Sequence, residues 1–489
     1  MNFNKLLMMK IVSLVTMLLG ISMIPSFIVA LIYNESSSAW AFAISAILLL
    51  SIGACYTGLT KEESVNTRSG EGYFLVLVVW ILACFLGALP YYFAGQGFTL
   101  VDSIFESTSG FTTTGSFVIE PDALSKSLLF WKASTHWLGG MGILILMVSL
   151  FPFLGISGVN IATAEAPGPT FDKTKARVSE TTRFLYISYI IFSVAECIML
   201  SFSGMNLYDC LISTMASIST GGLFITESIA PFMATGYVRG VIILFTIISS
   251  INFVVYYNLI NKNFKAVTKN IELRVFLLII AISSLSIGIY LYATGIESDL
   301  GQALGDALFE STAASSTSGY AAIDYFSWPS FAQFVLVIQM LIGSCASSTG
   351  GALKVIRVVV LFKLIKRGLY KRIHPNAVKT VKLSGQSITT VEASNITLFS
   401  LIYFGTLLFA VVFLSIDNLD FVTTFTSAVS LLSNSGMTFG DMGFTCDFSN
   451  YSTVCKYFLS LLMMAGRLEI YSVILIFTRS FWKQDKANY

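Results

Sequence analysis

Apolar runs long enough to cross a hydrocarbon core of about 30 Å recur ten times along the chain. They lie near 10–33, 39–58, 73–94, 128–152, 183–203, 231–259, 274–294, 330–364, 394–415 and 453–478. Four shorter amphipathic stretches, 100–114, 206–221, 301–318 and 418–435, sit between pairs of these runs. Each is too short to span and ends in Ser, Thr or Gly, which predicts a re-entrant half-helix followed by an extended return. The expected fold class is therefore an all-α integral membrane protein with ten transmembrane helices and four re-entrant half-helices. The first run follows Lys5 and Lys10 and is too long for a signal-peptide core, so it reads as a retained first helix.

The short stretches repeat. "LVDSIFESTSGFTTTGSF" at 100–117 aligns without a gap with "LGDALFESTAASSTSGYA" at 304–321, and "LYDCLISTMASISTGGLF" at 207–224 keeps the same frame. Asp102 to Gly115, Asp209 to Gly222 and Asp306 to Gly319 are each 13 residues apart. In the fourth stretch, "FTSAVSLLSNSGMTFG" at 425–440, Gly436 is the matching candidate. The register selects Gly115 over Gly110, which falls inside or at the end of the half-helix. The unit is span, half-helix, loop, span. Four units cover 71–155, 183–262, 272–372 and 392–480, behind two extra helices in 1–70, and the second helix of the third unit reads as broken.

Four such loops in one chain can surround a common axis. Backbone at membrane depth must be buried or line a water-filled path. Glycine permits φ > 0 and carries no side chain, so carbonyls can turn toward the axis and replace the hydration shell of a cation. The half-helices would aim their partly negative C-terminal ends at it. The candidate filter residues are Thr113, Thr114 and Gly115; Thr220, Gly221 and Gly222; Thr317, Ser318 and Gly319; Asn434, Ser435 and Gly436. The hydroxyls beside the glycines can satisfy loop N–H groups and pin the carbonyls.

Composition agrees. The chain of 489 residues is 55% hydrophobic and 11% charged, with mean hydropathy +0.78, where a soluble chain carries about 25% charged residues. With the N-terminus in the cytoplasm, all but five of the 29 Lys and Arg fall on the cytoplasmic side. The exceptions are Lys126, Lys132, Arg239, Lys456 and Arg467. The four short stretches and most acids then lie outside, including Asp102, Glu106, Asp209, Asp306 and Glu310, which predicts an acidic, cation-attracting mouth. Lys354 and Arg357 are expected to meet the cytosol. Seven cysteines without CxxC spacing and only two histidines argue against a zinc or His-based site. No nucleophile–base set marks an enzyme, and no GxGxxG motif marks a nucleotide fold. An alternating-access carrier would need two inverted halves with a midplane pocket, not four parallel loops on one face.

Two further features stand out. Arg467 lies midway through the last run, where an arginine costs at least about 2.5–3.5 kcal/mol. It is expected either to pair with a carboxylate or loop carbonyls, or to stand as a positive barrier under the filter. The segment "GSCASSTGGA" at 343–352 interrupts its run, and glycine costs about 1 kcal/mol per helical position. Gly343, Ala346, Ser347, Ser348, Thr349, Gly350 and Gly351 are expected to form a loop that crosses the pore below the filter as a gate. Tight small-residue packing is the alternative. Glu196 reads equally as a functional acid or a packing hydrogen bond, and His136 as structural. Cys446 and Cys455 could pair, and "APGPTFDK" at 166–173 could touch a regulator.

Long, idiosyncratic segments carry a resemblance: "HWLGGMGILIL" at 136–146, "GSCASSTGGALKVIRVVVLFK" at 343–363 and "AGRLEIYSV" at 465–473. Over essentially its whole length the chain resembles the Trk/Ktr/HKT superfamily of K⁺ transporters, closest to the bacterial Trk type. The resemblance implies K⁺ uptake through an all-glycine filter, with K⁺ held by backbone carbonyls as cargo and no cofactor bound by this chain. It also implies a homodimer in the bacterial cytoplasmic membrane, both termini cytoplasmic, with a cytosolic nucleotide-binding regulatory ring of the RCK/KTN type. The surroundings are a lipid bilayer, and no nucleic-acid partner is implied. A Na⁺ or mixed Na⁺/K⁺ conductor of the same fold stays open, although glycine at 115 speaks against it.

Overall fold

The computed structural model describes residues 5–59, 69–142, 178–222, 226–320, 323–377, 380–383, 386–442 and 447–479. The expected Cys446–Cys455 pairing and the 166–173 loop lie outside these residues. Among the described residues six helices are long and apolar enough to cross a bilayer, or eight if each of two bent pairs is one span. The run expected at 128–152 continues beyond the described residues after Gly142, and the run at 330–364 is cut in two.

The leading helices, spanning Met8–Ile32 and Ser36–Cys55, turn back on each other. They are tied to the first unit by Glu35. Its carboxylate accepts hydrogen bonds from the Lys126 and Ser127 N–H groups (2.8 and 3.1 Å), at the start of the helix Lys126–Gly140. An acid at that position satisfies orphan N–H groups and meets the positive end of the helix dipole.

The four short helices are Leu100–Phe111, Leu207–Ile218, Leu300–Ser316 and Phe421–Ser433. Each starts on a side-chain cap: Thr99, Asn206, Asp299 and Asp420 accept from the Asp102, Asp209, Gln302 and Thr423 N–H groups. Twelve residues rise about 18 Å, too little to cross. The third helix has 17 residues because its cap lies one turn earlier.

The helices after the short ones break at a common level. Lys126–Gly140 ends before Gly142 (φ +78); Gly236–Ser250 turns by 90° into Phe253–Ile260; Ser330–Ile342 stops at Gly343; Thr453–Arg467 turns by 117° into Tyr471–Phe477. The sequence pattern treats 231–259 and 453–478 as unbroken, and the structure corrects both. Asn252 caps the second half of one pair through the Val254 N–H (2.9 Å). In the other, Glu469 and Ile470 both take positive φ, and the Ile470 N–H closes on the Ala465 carbonyl at 2.8 Å. Neither break carries a proline or sits on a glycine, so periodicity runs through it.

The surface is apolar and much of the interior polar. Ile47, Phe202, Leu401 and Val412 face outward, whereas Thr112, Ser219, Ser316 and Ser433 are buried. The β structure among the described residues is a two-stranded hairpin, Lys382–Leu383 with Gln386–Ser387, and an isolated bridge between Phe117 and Asp447.

Candidate functional site

The four short helices end in the same way. Thr113, Thr220, Thr317 and Asn434 adopt left-handed backbone, with φ of +55, +53, +57 and +55°. The next residue in each donates its N–H to the carbonyl five back: Thr114 to Ser109, Gly221 to Ala216, Ser318 to Ala313, Ser435 to Ser430, at 2.9–3.0 Å. This helix stop normally uses glycine. A β-branched threonine there costs about 1–3 kcal/mol and persists only when its surroundings enforce it. Two residues past each strained position comes a glycine, Gly115, Gly222, Gly319 or Gly436, with φ between +64 and +82°. Gly436 therefore has the same conformation as the other three, although its flank lacks their threonines.

These glycines form a closed ring. A Cβ built on Gly115 would lie 2.5 Å from the Gly221 carbonyl oxygen; on Gly222, 2.6 Å from that of Ser318; on Gly319, 1.9 Å from that of Ser435; on Gly436, 2.3 Å from that of Thr114. Each turn packs against the next, and the fourth returns to the first. Hydroxyls hold the turns from behind, mostly as donors to carbonyls rather than acceptors from N–H groups. Ser109 donates to the Ser116 carbonyl (2.5 Å), Thr112 to that of Thr108 (2.7 Å) and Thr220 to that of Ser219 (2.7 Å). Asn434 donates its amide to Thr114 Oγ1 of the adjoining first turn (3.1 Å) and to the Met463 carbonyl (2.9 Å). Gly110 is helical, and Thr135 Oγ1 lies 2.1 Å from where its Cβ would be.

The break at 343–354 runs against the underside of this ring. Thr349 Oγ1 meets that of Thr220 at 3.2 Å, and Gly351 N–H donates to Thr317 Oγ1 at 2.7 Å. A Cβ on Gly350 would stand 2.6 Å from the Ser316 carbonyl, and one on Gly351 2.2 Å from that of Ser433. The loop also feeds the carbonyls that broken helices leave open. Cys345 N–H donates to Ser250 (3.2 Å), Thr349 N–H to Ser249 (3.3 Å) and Leu353 N–H to Leu341 (3.3 Å). Glu272, near the start of Ile271–Ala293, accepts from the Ala346 N–H at 2.6 Å. The small Gly350 and Gly351 thus allow close approach to the ends of the third and fourth short helices, in a segment that is not itself helical.

Arg467 joins the loop to the first unit. Its guanidinium donates to the Thr349 carbonyl (2.6 Å) and to those of Gly139 (2.5 Å) and Gly140 (2.7 Å). Sequence reasoning treated Arg467 and the loop separately; the structure brings them together. Glu469, two residues on, faces elsewhere and pairs with Arg357 at 2.5 Å. Lys354 and Arg357 are 1% and 4% exposed, which corrects their expected cytosolic placement. The Lys354 ammonium donates to the Gly350 carbonyl, and the Arg357 guanidinium stacks 3.7 Å from the Phe399 ring centroid.

The other basic residues that break the inside-positive pattern also have internal partners. Lys132 pairs with Glu106 at 2.5 Å, both side chains fully buried, while Glu106 accepts from the Val118 and Ile119 N–H groups (2.7 and 2.9 Å) just past the first turn of the ring. Arg239 pairs with Asp306 at 2.7 Å and Lys456 with Asp102 at 2.9 Å. Lys126 sits 4.2 Å from the Tyr33 ring centroid. The expected acidic mouth is correspondingly reduced, because Asp102, Glu106 and Asp306 serve these pairs. Glu196 is buried and accepts from Ser217 Oγ at 2.5 Å.

A family model described as a cation transport protein, TrkH, matches residues 38–487. The Trk system potassium uptake protein TrkH of Escherichia coli (strain K12) is 31% identical over 482 residues, covering 97% of this chain and 99% of the relative. TrkG of the same organism is 30% identical over 477 residues, covering 95% and 96%. The crystal structure of the potassium transporter TrkH from Vibrio parahaemolyticus matches with a TM-score of 0.87 at 27% identity, covering 98% of this chain and all of that one. With a four-turn ring, a loop beneath it and an apolar exterior, this multi-pass membrane chain belongs to the TrkH family of cation transport proteins.

Proposed function

We propose that the chain carries K⁺ into the cell through the ring of turns at Thr113–Gly115, Thr220–Gly222, Thr317–Gly319 and Asn434–Gly436. The single observation that carries this is the mutual contact of the four glycines, each against the next turn's carbonyl oxygen. Short helices ending at the ring add a favourable potential for a cation, and carbonyls on one axis can replace its water. The names of the E. coli and Vibrio relatives, which specify potassium, support K⁺ as the cargo.

On this reading ten spans and four half-helices surround one path, and the 343–354 loop closes it from the cytoplasmic side. Arg467 holds the loop shut and places a positive charge below the filter. The protein works as a homodimer in the bacterial cytoplasmic membrane, termini inside, under a cytosolic nucleotide-binding subunit that opens the loop. The test is uptake of radioactive Rb⁺ into proteoliposomes, with K⁺, Na⁺ and Cs⁺ as competitors. K⁺ should compete well and Na⁺ poorly; equal competition by Na⁺ would overturn the assignment.

A further inference from the structure

One position in the ring departs from its three counterparts. Thr114, Ser318 and Ser435 carry hydroxyls, and Gly221 carries nothing. Its backbone does not ask for glycine, because Gly221 is not among the residues with positive φ. What excludes a side chain is His136. The three atoms nearest to a Cβ at 221 are His136 Nδ1 (1.9 Å), Cγ (2.7 Å) and Cβ (3.0 Å). The obstacle includes the root of the histidine, so rotating the ring does not remove it.

His136 is fully buried in the helix Lys126–Gly140 of the first unit, whereas Gly221 belongs to the second. Lys132, His136, Gly139 and Gly140 share one face of that helix by their spacing of four and three to four. All of them meet the first two short helices or the turns that end them. Lys132 holds Glu106 behind the first turn. A Cβ on Gly139 would be 1.8 Å from the Phe111 carbonyl, and one on Gly140 2.9 Å from Ser219 Cα. The helix is wedged between the first and second turns, and His136 is its contact with the second.

We infer that His136 is a positioning residue of the ring: it fills the volume a side chain at 221 would need and so sets how far the Thr220–Gly222 carbonyls stand from the axis. This rests on the filter reading proposed above. Hydroxyl hydrogen bonds steady two of the other turns from within, Thr114 with Thr112 and Asn434 and Ser318 with Ser316 and the Ala313 carbonyl; an imidazole from the neighbouring unit steadies this one. His136 does not touch the ion and acts through Gly221.

The test compares wild type, His136→Ala, Gly221→Ser and the double variant in proteoliposomes, measuring the Rb⁺/Na⁺ uptake ratio and thermal unfolding. His136→Ala should lower the ratio roughly tenfold, the low end of what one misfit methylene is worth at a recognition site. Gly221→Ser alone should lower it further, and the double variant should recover most of the wild-type ratio because the serine then has room. A His136→Ala protein that is less stable but equally selective, or a double variant no better than His136→Ala, overturns the inference. His136→Asn, which keeps the branch at Cγ, replaces the alanine variant if that one does not fold; it should hold a ratio between wild type and Gly221→Ser, and a wild-type ratio counts against the inference. A wild type that does not discriminate at all would instead refute the filter reading.

Discussion

Arg467 and Thr349 meet at 2.6 Å although 118 residues separate them, and through that bond the end of the last inner helix holds the loop under the ring. The same guanidinium caps two carbonyls of the first unit. Removing it frees the loop and also leaves three buried carbonyls short of a donor. Arg467→Ala should raise Rb⁺ uptake and flatten the rectification of single-channel current. It should also lower the unfolding temperature, since a hydrogen bond to a charged group is worth about 1.5–3 kcal/mol. Unchanged flux and rectification would show that the arginine is a strut only.

The loop itself can be shortened. Deleting residues 345–350 removes the Thr349 contacts with Thr220 and Arg467. Higher Rb⁺ flux from a folded variant is expected. Flux that is unchanged or lost in a protein with a wild-type elution profile would speak against a gate.

The ring glycines should not be equivalent. An added methyl group comes nearest to backbone at Gly319 (1.9 Å) and has the most room at Gly222 (2.6 Å). Each Gly→Ala change also carries the strain of positive φ, about 1 kcal/mol or more. Gly319→Ala should abolish uptake, and Gly222→Ala should leave the most. Gly115→Ser should admit Na⁺. The check is the order of residual Rb⁺ uptake across the four alanine variants; a flat series would mean the contacts do not define the path.

Among the ion pairs, Lys132–Glu106 should matter most for folding, because both side chains are fully buried. Lys132→Met strands a carboxylate and should cost about 3–5 kcal/mol. The Lys456–Asp102 pair is 13% and 18% exposed, so its loss should cost less. Unfolding temperatures in one detergent rank the two, and a larger drop for Lys456→Met would contradict the order.

Much of this could be read from the chain because a repeat supplies its own control. The match of Asp102, Asp209 and Asp306 to Gly115, Gly222 and Gly319 located three short helices and the positive-φ glycines after them, and Gly436 followed by analogy, whereas the left-handed Thr113, Thr220 and Thr317 carry no local signal. The caps Thr99, Asn206, Asp299 and Asp420 were visible signals that could have fixed each helix start. What stayed hidden depends on partners far along the chain. Lys354 and Arg357 adjoin the basic stretch 363–372 and so looked cytosolic, yet Glu469, 112 residues away, draws Arg357 inward. The bend at Glu469–Ile470 uses residues that rarely adopt positive φ, so no local signal announces it. His136 had no sequence neighbour to reveal that it faces another unit.

Three ion pairs between units have a mechanical meaning. Lys456 of the fourth unit is strapped to Asp102 of the first, Arg239 of the second to Asp306 of the third, and Arg357 of the third to Glu469 of the fourth. The seam between the first and second units is closed instead by the packing of His136 against Gly221. Three seams are thus clasped by charge and the fourth is held by shape. Under load the opening should yield first at that fourth seam rather than widen evenly.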